Sequence, residues 1–189
     1  MRKRGKAWSG SAAKRLHALG LLLVLLATPL QAAAQPSEYE LKAIFVYKLA
    51  TYISWPPSAA DARRPFVIAI LGRDPFGRII DDVVRGENVN GRRVLVKRVS
   101  RAEEALECDV LFVSSSEKSN VARILQEVRD APVLTVADMD QFAQAGGMIN
   151  LVNDQRRIRF EVNVSAIDRA GFKAASQLLA LARIVDERR

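Results

Sequence analysis

The sequence predicts one α/β domain: a mostly parallel central sheet of about six strands, flanked by helices and ending in a C-terminal antiparallel hairpin. Three observations predict it. Residues 66–71 are a continuous β-branched and apolar run and residues 109–113 are apolar after Asp109, which suits strands covered on both faces rather than half-exposed ones. Between such runs lie segments whose apolar residues recur every three to four positions, so strands and helices alternate. Near the end, residues 148–152 and 158–162 are separated only by Asn153, Asp154, Gln155, Arg156 and Arg157, a polar turn that favours an antiparallel pair.

In chain order, Ser37 and Glu40 have the spacing of a capping box. The helix they open carries Leu41, Ile44, Phe45, Lys48, Leu49 and Tyr52 on its expected inward side, and Trp55-Pro56-Pro57 stops it. After strand 66–71, Asp74 is expected to cap a second helix with Pro75 at its first position and Phe76, Ile79, Ile80, Val83 and Val84 inward. Strand 94–99 alternates, which places it near an edge. Ser100 and Glu103 repeat the capping spacing before a short helix through Leu106. Strand 109–113 leads to a helix from Asn120 with Val121, Ile124, Leu125 and Val128 inward, then to strand 132–136. A short helix is expected around Met139 and Phe142, closed by Gly146-Gly147. After the hairpin, Ser165 starts a helical segment broken at Gly171, and a last helix over 174–186 turns Leu178, Leu181, Ala182 and Val185 inward.

The first 34 residues read as a cleaved secretory signal peptide. Arg2, Lys3, Arg4, Lys6, Lys14 and Arg15 form an acid-free basic region, an apolar core follows, and Ala32-Ala33-Ala34 offers a small-residue cleavage site. The apolar run is broken by Pro29 and falls short of the roughly 20 residues needed to span a bilayer, so the product is expected in the periplasm and not inserted in a membrane. Removing the six basic residues of this leader leaves 23 basic residues against 21 acids, and the formal charge drops from +8 to +2. Nucleic acid is therefore a poor partner, and Arg92-Arg93, Lys97-Arg98 and Arg156-Arg157-Arg159 read as solvated strand and turn faces.

The leader also takes His17, the one histidine, and leaves Cys108 as the one cysteine. Catalytic triads and His/Cys metal sites cannot be assembled from what remains, and no cofactor or metal is expected. Cys108 precedes an apolar run and reads as a buried small hydrophobe, with an intermolecular disulfide left open. The turn from Gly72 to Gly77 lacks the Lys and Ser/Thr of a phosphate-binding loop and holds Pro75, which has no amide donor; it reads as a strand-to-helix turn.

Several runs together resemble the YfiR-like family of secreted bacterial regulators. They are Tyr39-Glu40-Leu41-Lys42-Ala43 continuing to Tyr52-Ile53-Ser54-Trp55-Pro56, residues 66–72 with Asp74-Pro75-Phe76-Gly77, residues 108–113, 132–136 and 146–149, Phe160-Glu161-Val162-Asn163, and Ser176-Gln177-Leu178-Leu179. The resemblance implies a periplasmic, non-enzymatic protein that binds the periplasmic sensor region of an inner-membrane GGDEF diguanylate cyclase and represses it, lowering cyclic-di-GMP. It also implies a second partner, an outer-membrane peptidoglycan-binding lipoprotein that captures the repressor. A homodimer is compatible with the chain.

A repressor of this kind needs apolar anchors. Trp55 with Pro56 and Pro57, and Phe160, Ile167 and Phe172, are the candidates; core packing competes for Phe160 and a lid over the core competes for Trp55. Glu161, Asn163, Ser176 and Gln177 are nominated as polar contacts because the family pattern matches there, although Glu161 and Asn163 also fit a solvated strand face. Two further readings are a small solute-binding sensor using the crevice near Asp74, Ser114, Ser115 and Asp138, and a hydrolase built on Asp138 and Asp140. Asp138 fits a helix-capping role more simply.

Overall fold

The computed structural model describes residues 36–57, 63–155 and 157–186. The chain divides into the units Met1–Gln35 and Pro36–Arg189, and the fold described is that of the second. The expected signal peptide lies outside the described residues, as do positions 58–62 of the loop before the first long strand.

Helix α1 (Glu38–Thr51) opens the unit, followed by β1 (Ile53–Ser54), β2 (Phe66–Leu71), α2 (Ile79–Val83), β3 (Asn88–Val89) and β4 (Arg92–Val99). Then come β5 (Val110–Val113), α3 (Val121–Glu127), β6 (Leu134–Ala137), β7 (Ile149–Asp154), β8 (Arg157–Val162), α4 (Val164–Arg169), β9 (Lys173–Ala174), α5 (Ser176–Leu181) and β10 (Arg183–Ile184). The sheet order is β10-β8-β7-β6-β5-β2-β4-β3. Strands β4, β2, β5, β6 and β7 run parallel, and β7–β8 is the antiparallel hairpin, with Asp154 opposite Arg157. The predicted class holds, and the strands beyond six are the two-residue edges β3 and β10. Strands β1 and β9 form a separate antiparallel pair.

Both faces of the parallel strands are covered, which is why their apolar runs do not alternate. On one face Ala43, Val46 and Ala50 of α1 belong to the same cluster as Ile68, Ile70, Phe112, Leu134 and Val136. On the other, Val121, Ile124, Leu125 and Val128 join Ala69, Leu71, Leu111 and Val113. Each fully buried aliphatic or Phe side chain contributes about 1.5–3 kcal/mol. Cys108 is buried, as expected of a small hydrophobe, and burial pushes its thiol pKa up.

The structure corrects several local expectations. Helix α1 has its capping box, with Ser37 Oγ accepting from Glu40 N, but its buried face is Lys42, Ala43, Val46, Tyr47, Leu49 and Ala50. Ile44 and Tyr52, placed inward by spacing, are exposed. Asp74 accepts from the amides of Phe76 and Gly77 in a turn instead of capping a helix, and Gly77 at φ +55° delays α2 to Ile79. At Ser100 the acid that closes the cap is Glu104, not Glu103. Residues 140–146 make successive turns rather than a helix, with Phe142 buried. The last helix ends at Leu181, because the chain then runs as β10 beside β8.

Arg92 is not a solvated residue. Its Nη1 and Nη2 donate to Asp109 Oδ1 and Oδ2 at 2.8 and 2.7 Å, while Nε and Nη2 also reach the carbonyls of Arg64 and Pro65. Asp109 further accepts from Val67 N, so one buried carboxylate ties together the starts of β2, β4 and β5.

Candidate partner-binding face

Helix α1 buries one side against the sheet and leaves Ile44 and, at its end, Tyr52 exposed among Glu40, Lys48 and Thr51. A surface helix usually confines its apolar residues to one stripe, and these two stand outside it. At the flank of that helix, Phe45, Tyr52 and the buried Leu49 meet Phe160 of β8 and Leu178 and Leu181 of α5 around a cavity of about 270 Å³. The rings of Phe45 and Phe160 lie 6.0 Å apart in a tilted contact. Tyr52 is 46% exposed, Leu181 72% and the nearby helix residue Ile44 38%. Lys48 and Gln177 supply the polar lining. Singly exposed apolar residues are ordinary, whereas a grouped set around a concavity marks a surface suited to another molecule.

Beyond Phe160 and Leu181 a second groove continues over Asp154, Arg159, Glu161 and Arg183. Glu161 is buried: one carboxylate oxygen accepts from Asn150 Nδ2 at 3.2 Å and the other pairs with Arg183. The face thus passes from an apolar cleft to a charged one along the hairpin.

The nominated residues separate in this structure. Phe160 and Gln177 line the apolar cleft, Glu161 lines the adjoining groove, and Ser176 is exposed at the start of α5. Trp55 is a lid over the core, edge-on to Phe66 and Phe172 at 5.1 and 4.9 Å, with Nε1 donating to the Ala50 carbonyl. Pro56 packs near Gly171. Ile167 and Phe172 are fully buried core residues and present no anchor surface. Glu161 and Asn163 are not on a solvated face. Asn163 is fully buried, caps α4 by accepting from Ala166 N, and donates to the Ala143 carbonyl. Sequence spacing missed Ile44, Phe45, Tyr52 and Leu181 as surface groups because it assigned all four inward. In α1 no signal separated them, because Ile44 and Tyr52 keep the three-to-four recurrence of an inward stripe.

Under α1, the inward Lys42 ammonium donates to Asp138 Oδ2 at 2.8 Å and pairs with Glu38 at 2.6 Å. Burial works against the Lys42 charge, but the bonds to Asp138 and Glu38 more than offset it and its pKa lies above the ordinary lysine value. The same bond from Lys42 holds Glu38 below its ordinary value. Asp138 is thus tied to α1 through Oδ2, and exposed Asp140 pairs with Lys118.

The crevice favoured by the solute-binding reading would lie where the chain order reverses, at the ends of β2 and β5. There Ser116 Oγ accepts from Arg73 N at 2.9 Å, and a Cβ at Gly72 would stand 2.5 Å from that same oxygen. Asp74 is held by Arg98 and by its own turn, and Ser114 Oγ accepts from Ser116. These side chains are thus hydrogen-bonded within the protein.

A family model described as YfiR/HmsC-like matches residues 39–183. Among solved structures, a conserved domain protein from Vibrio cholerae is similar at a TM-score of 0.56 and 9% identity, over 80% of this chain and 61% of that one. The ABC domain in complex with L-Trp from Streptococcus pneumonia is similar at 0.52 and 12% identity, over 76% and 60%. At those identities the likeness is one of fold. An acyl-coenzyme A oxidase of Eremothecium gossypii is 32% identical over 79 residues, which is 42% of this chain and 11% of the oxidase. The chain thus spans about a tenth of that relative and about three fifths of each solved structure.

Proposed function

The chain belongs to the YfiR/HmsC-like family of regulators of cyclic-di-GMP signalling, and from that membership we propose that it represses an inner-membrane diguanylate cyclase by binding the cyclase's periplasmic sensor region. It acts by holding another protein rather than by catalysis. Export by the leader at residues 1–34 places it on the same side of the membrane as that region.

The observation that carries this reading is the apolar cleft between α1 and α5, with Tyr52 and Leu181 exposed at it and Ile44 nearby. A repressor must favour one state of its target, and moving a population from 1:99 to 99:1 takes about 5.5 kcal/mol of differential binding. Fully burying a Leu or an aromatic side chain contributes about 1.5–3 kcal/mol; Ile44, Tyr52 and Leu181, which are 38%, 46% and 72% exposed, would together supply about 2–5 kcal/mol before the costs of association, so the adjoining groove must supply the rest. Lys48 at the cleft favours a partner segment with apolar side chains and an acidic neighbour, while Arg159 and Arg183 in the adjoining groove are balanced by Asp154 and Glu161. An outer-membrane peptidoglycan-binding lipoprotein would release the cyclase by competing for this face, and a second copy of the chain is a further competitor.

The test is titration of the purified protein against the periplasmic region of a GGDEF cyclase. Leu181→Ala is expected to weaken binding about 10- to 100-fold, since each tenfold is about 1.4 kcal/mol. The melting temperature should stay unchanged, because Leu181 is largely exposed. In cells the same variant should raise cyclic-di-GMP. Absence of binding by the unaltered protein, or full-strength binding by a Tyr52→Asp/Leu181→Asp variant, would overturn the reading.

A further inference from the structure

Strand β4 carries eight residues, but on its outer side only Arg92 and Arg93 have strand partners, Val89 and Asn88 of β3, and no described strand continues beyond them. On the inner side the ladder with β2 is complete, six successive pairs from Val94 to Val99 without a bulge. The direction of the outer backbone groups follows from one bond. Val94 N donates to the Glu87 carbonyl at 3.0 Å, away from β2, and backbone groups alternate in direction along a strand, so those of Val96 and Arg98 also point outward. Past Val94 the edge presents ladder groups that no described strand takes up, at the end of the sheet remote from β8 and β10.

The side chains along this edge have a pattern. Arg93, Leu95 and Lys97 share one face and are all exposed, Leu95 at 44% beside half-buried Val67 of β2. Arg92 is matched by Asp109, and Arg98 by Asp74 and Asp81, whereas Arg93 and Lys97 have no ion pair among the described residues. Charged side chains also protect sheet edges from unwanted pairing. Protection accounts for the two cations but not for the exposed leucine between them, and residues 94–99 hold neither a proline nor a bulge to break the edge. A second copy of the chain fits poorly, since it would bring Arg93 and Lys97 against the same two cations, and like charges across a ladder are destabilising. The order cation, apolar, cation instead complements acid, apolar, acid.

We propose that the open edge of β4 takes up an extended segment of another protein as an added strand, with acidic residues at its first and fifth positions and an apolar residue at its third. Main-chain bonds to Val96 and Arg98 supply the affinity. The acids opposite Arg93 and Lys97 and the apolar side chain against Leu95 supply selectivity and register. This surface is separate from the cleft between α1 and α5, and it does not rest on the repressor reading.

The test is amide NMR with hydrogen exchange on the purified protein. Three capped peptides serve as probes: one with the core glutamate-valine-leucine-valine-glutamate, one with lysine in place of both glutamates, and one like the first but N-methylated at its three central residues. The acidic peptide is expected to give saturable shifts and slowed exchange at Val96 and Arg98, the lysine peptide to bind at least about fivefold more weakly, and the methylated peptide to lose binding. Arg93→Glu/Lys97→Glu should invert the preference between the acidic and lysine peptides. Both side chains are exposed, so the variant should keep its melting temperature. Equal binding of the acidic peptide and either control, a preference that survives the charge reversal, shifts confined to other strands, or no saturable shift at about 5 mM would each overturn the proposal. So would protection of the Val96 and Arg98 amides that grows with protein concentration alone, since that marks a dimer paired through β4.

Discussion

Replacing Arg92 with Ala should destabilise the domain by about 3–5 kcal/mol, the range for breaking a buried ion pair from one side. The structure supplies the reasons. The change removes two bonds to Asp109, at 2.8 and 2.7 Å, and two bonds to the carbonyls of Arg64 and Pro65. It also removes a guanidinium lying 5.2 Å from the centre of the Phe66 ring. Asp109, 0% exposed, would keep only Val67 N and the half-exposed Arg64 as partners. Domains of this size have about 5–15 kcal/mol of stability, so the loss is a large share of the total. With a urea m-value of about 2 kcal/mol per molar, the midpoint should fall by roughly 1.5–2.5 M.

Trp55 is the one tryptophan outside positions 1–34, and its contacts with Phe66 and Phe172 make its fluorescence a reporter of this core. An Arg92→Met/Asp109→Leu variant should be less destabilised than Arg92→Ala alone, because it removes both charges and leaves chiefly the Val67 amide unpaired. A midpoint shift below about 0.5 M for Arg92→Ala, or a double variant no better than the single one, would refute the assignment of this pair as a buried clamp.

Tyr47 donates its hydroxyl to Glu87 at 2.5 Å, and that bond, with burial, pushes its pKa up to about 12. The neutral phenol is favoured in the folded state, so its stabilisation is complete below pH 10 and is lost as pH rises from 10 through 12; Tyr47→Phe should flatten stability over that interval, read by urea midpoints at fixed pH. Gly147→Ala would place a Cβ 2.2 Å from the ring of buried Phe142, and should cost about 1–3 kcal/mol by thermal unfolding, with partial relief from Phe142→Leu. Ser37→Ala removes the capping box of α1 and should cost about 1 kcal/mol, seen as a melting temperature lower by about 2–4 °C.

The strands were legible because their burial on two faces leaves a direct mark, an unbroken run of Val, Ile, Leu and Phe. Cap chemistry was legible at Ser37, where side-chain and backbone partners lie three residues apart. What spacing could not show was long-range pairing. Arg92 looks like any strand arginine until Asp109, 17 positions on, is brought beside it, and Lys42 looks solvent-facing until Asp138 lies beneath it. Glu161 and Asn163 were misplaced for the same reason: their partners Asn150 and Ala143 come from other segments. The last helix was overextended because Leu178, Leu181, Ala182 and Val185 keep helical spacing across a point where the chain takes up an edge pairing, Val185 N donating to the Val162 carbonyl.

The misreading of α1 and the candidate binding face have one cause. Turning the helix to bury Ile44 and Tyr52 would take Lys42 away from Asp138. Asp138 would then remain as a buried carboxylate without its cation, at a cost of about 3–5 kcal/mol. Completing the burial of Ile44 and Tyr52, each already more than half covered, recovers only part of the 1.5–3 kcal/mol that a fully buried side chain contributes. The rotation would also expose Val46 and Ala50, which are now fully buried. The ion pair under the helix is thus what holds Ile44, Phe45 and Tyr52 outward. A polar contact within the core fixes where Ile44 and Tyr52 stand.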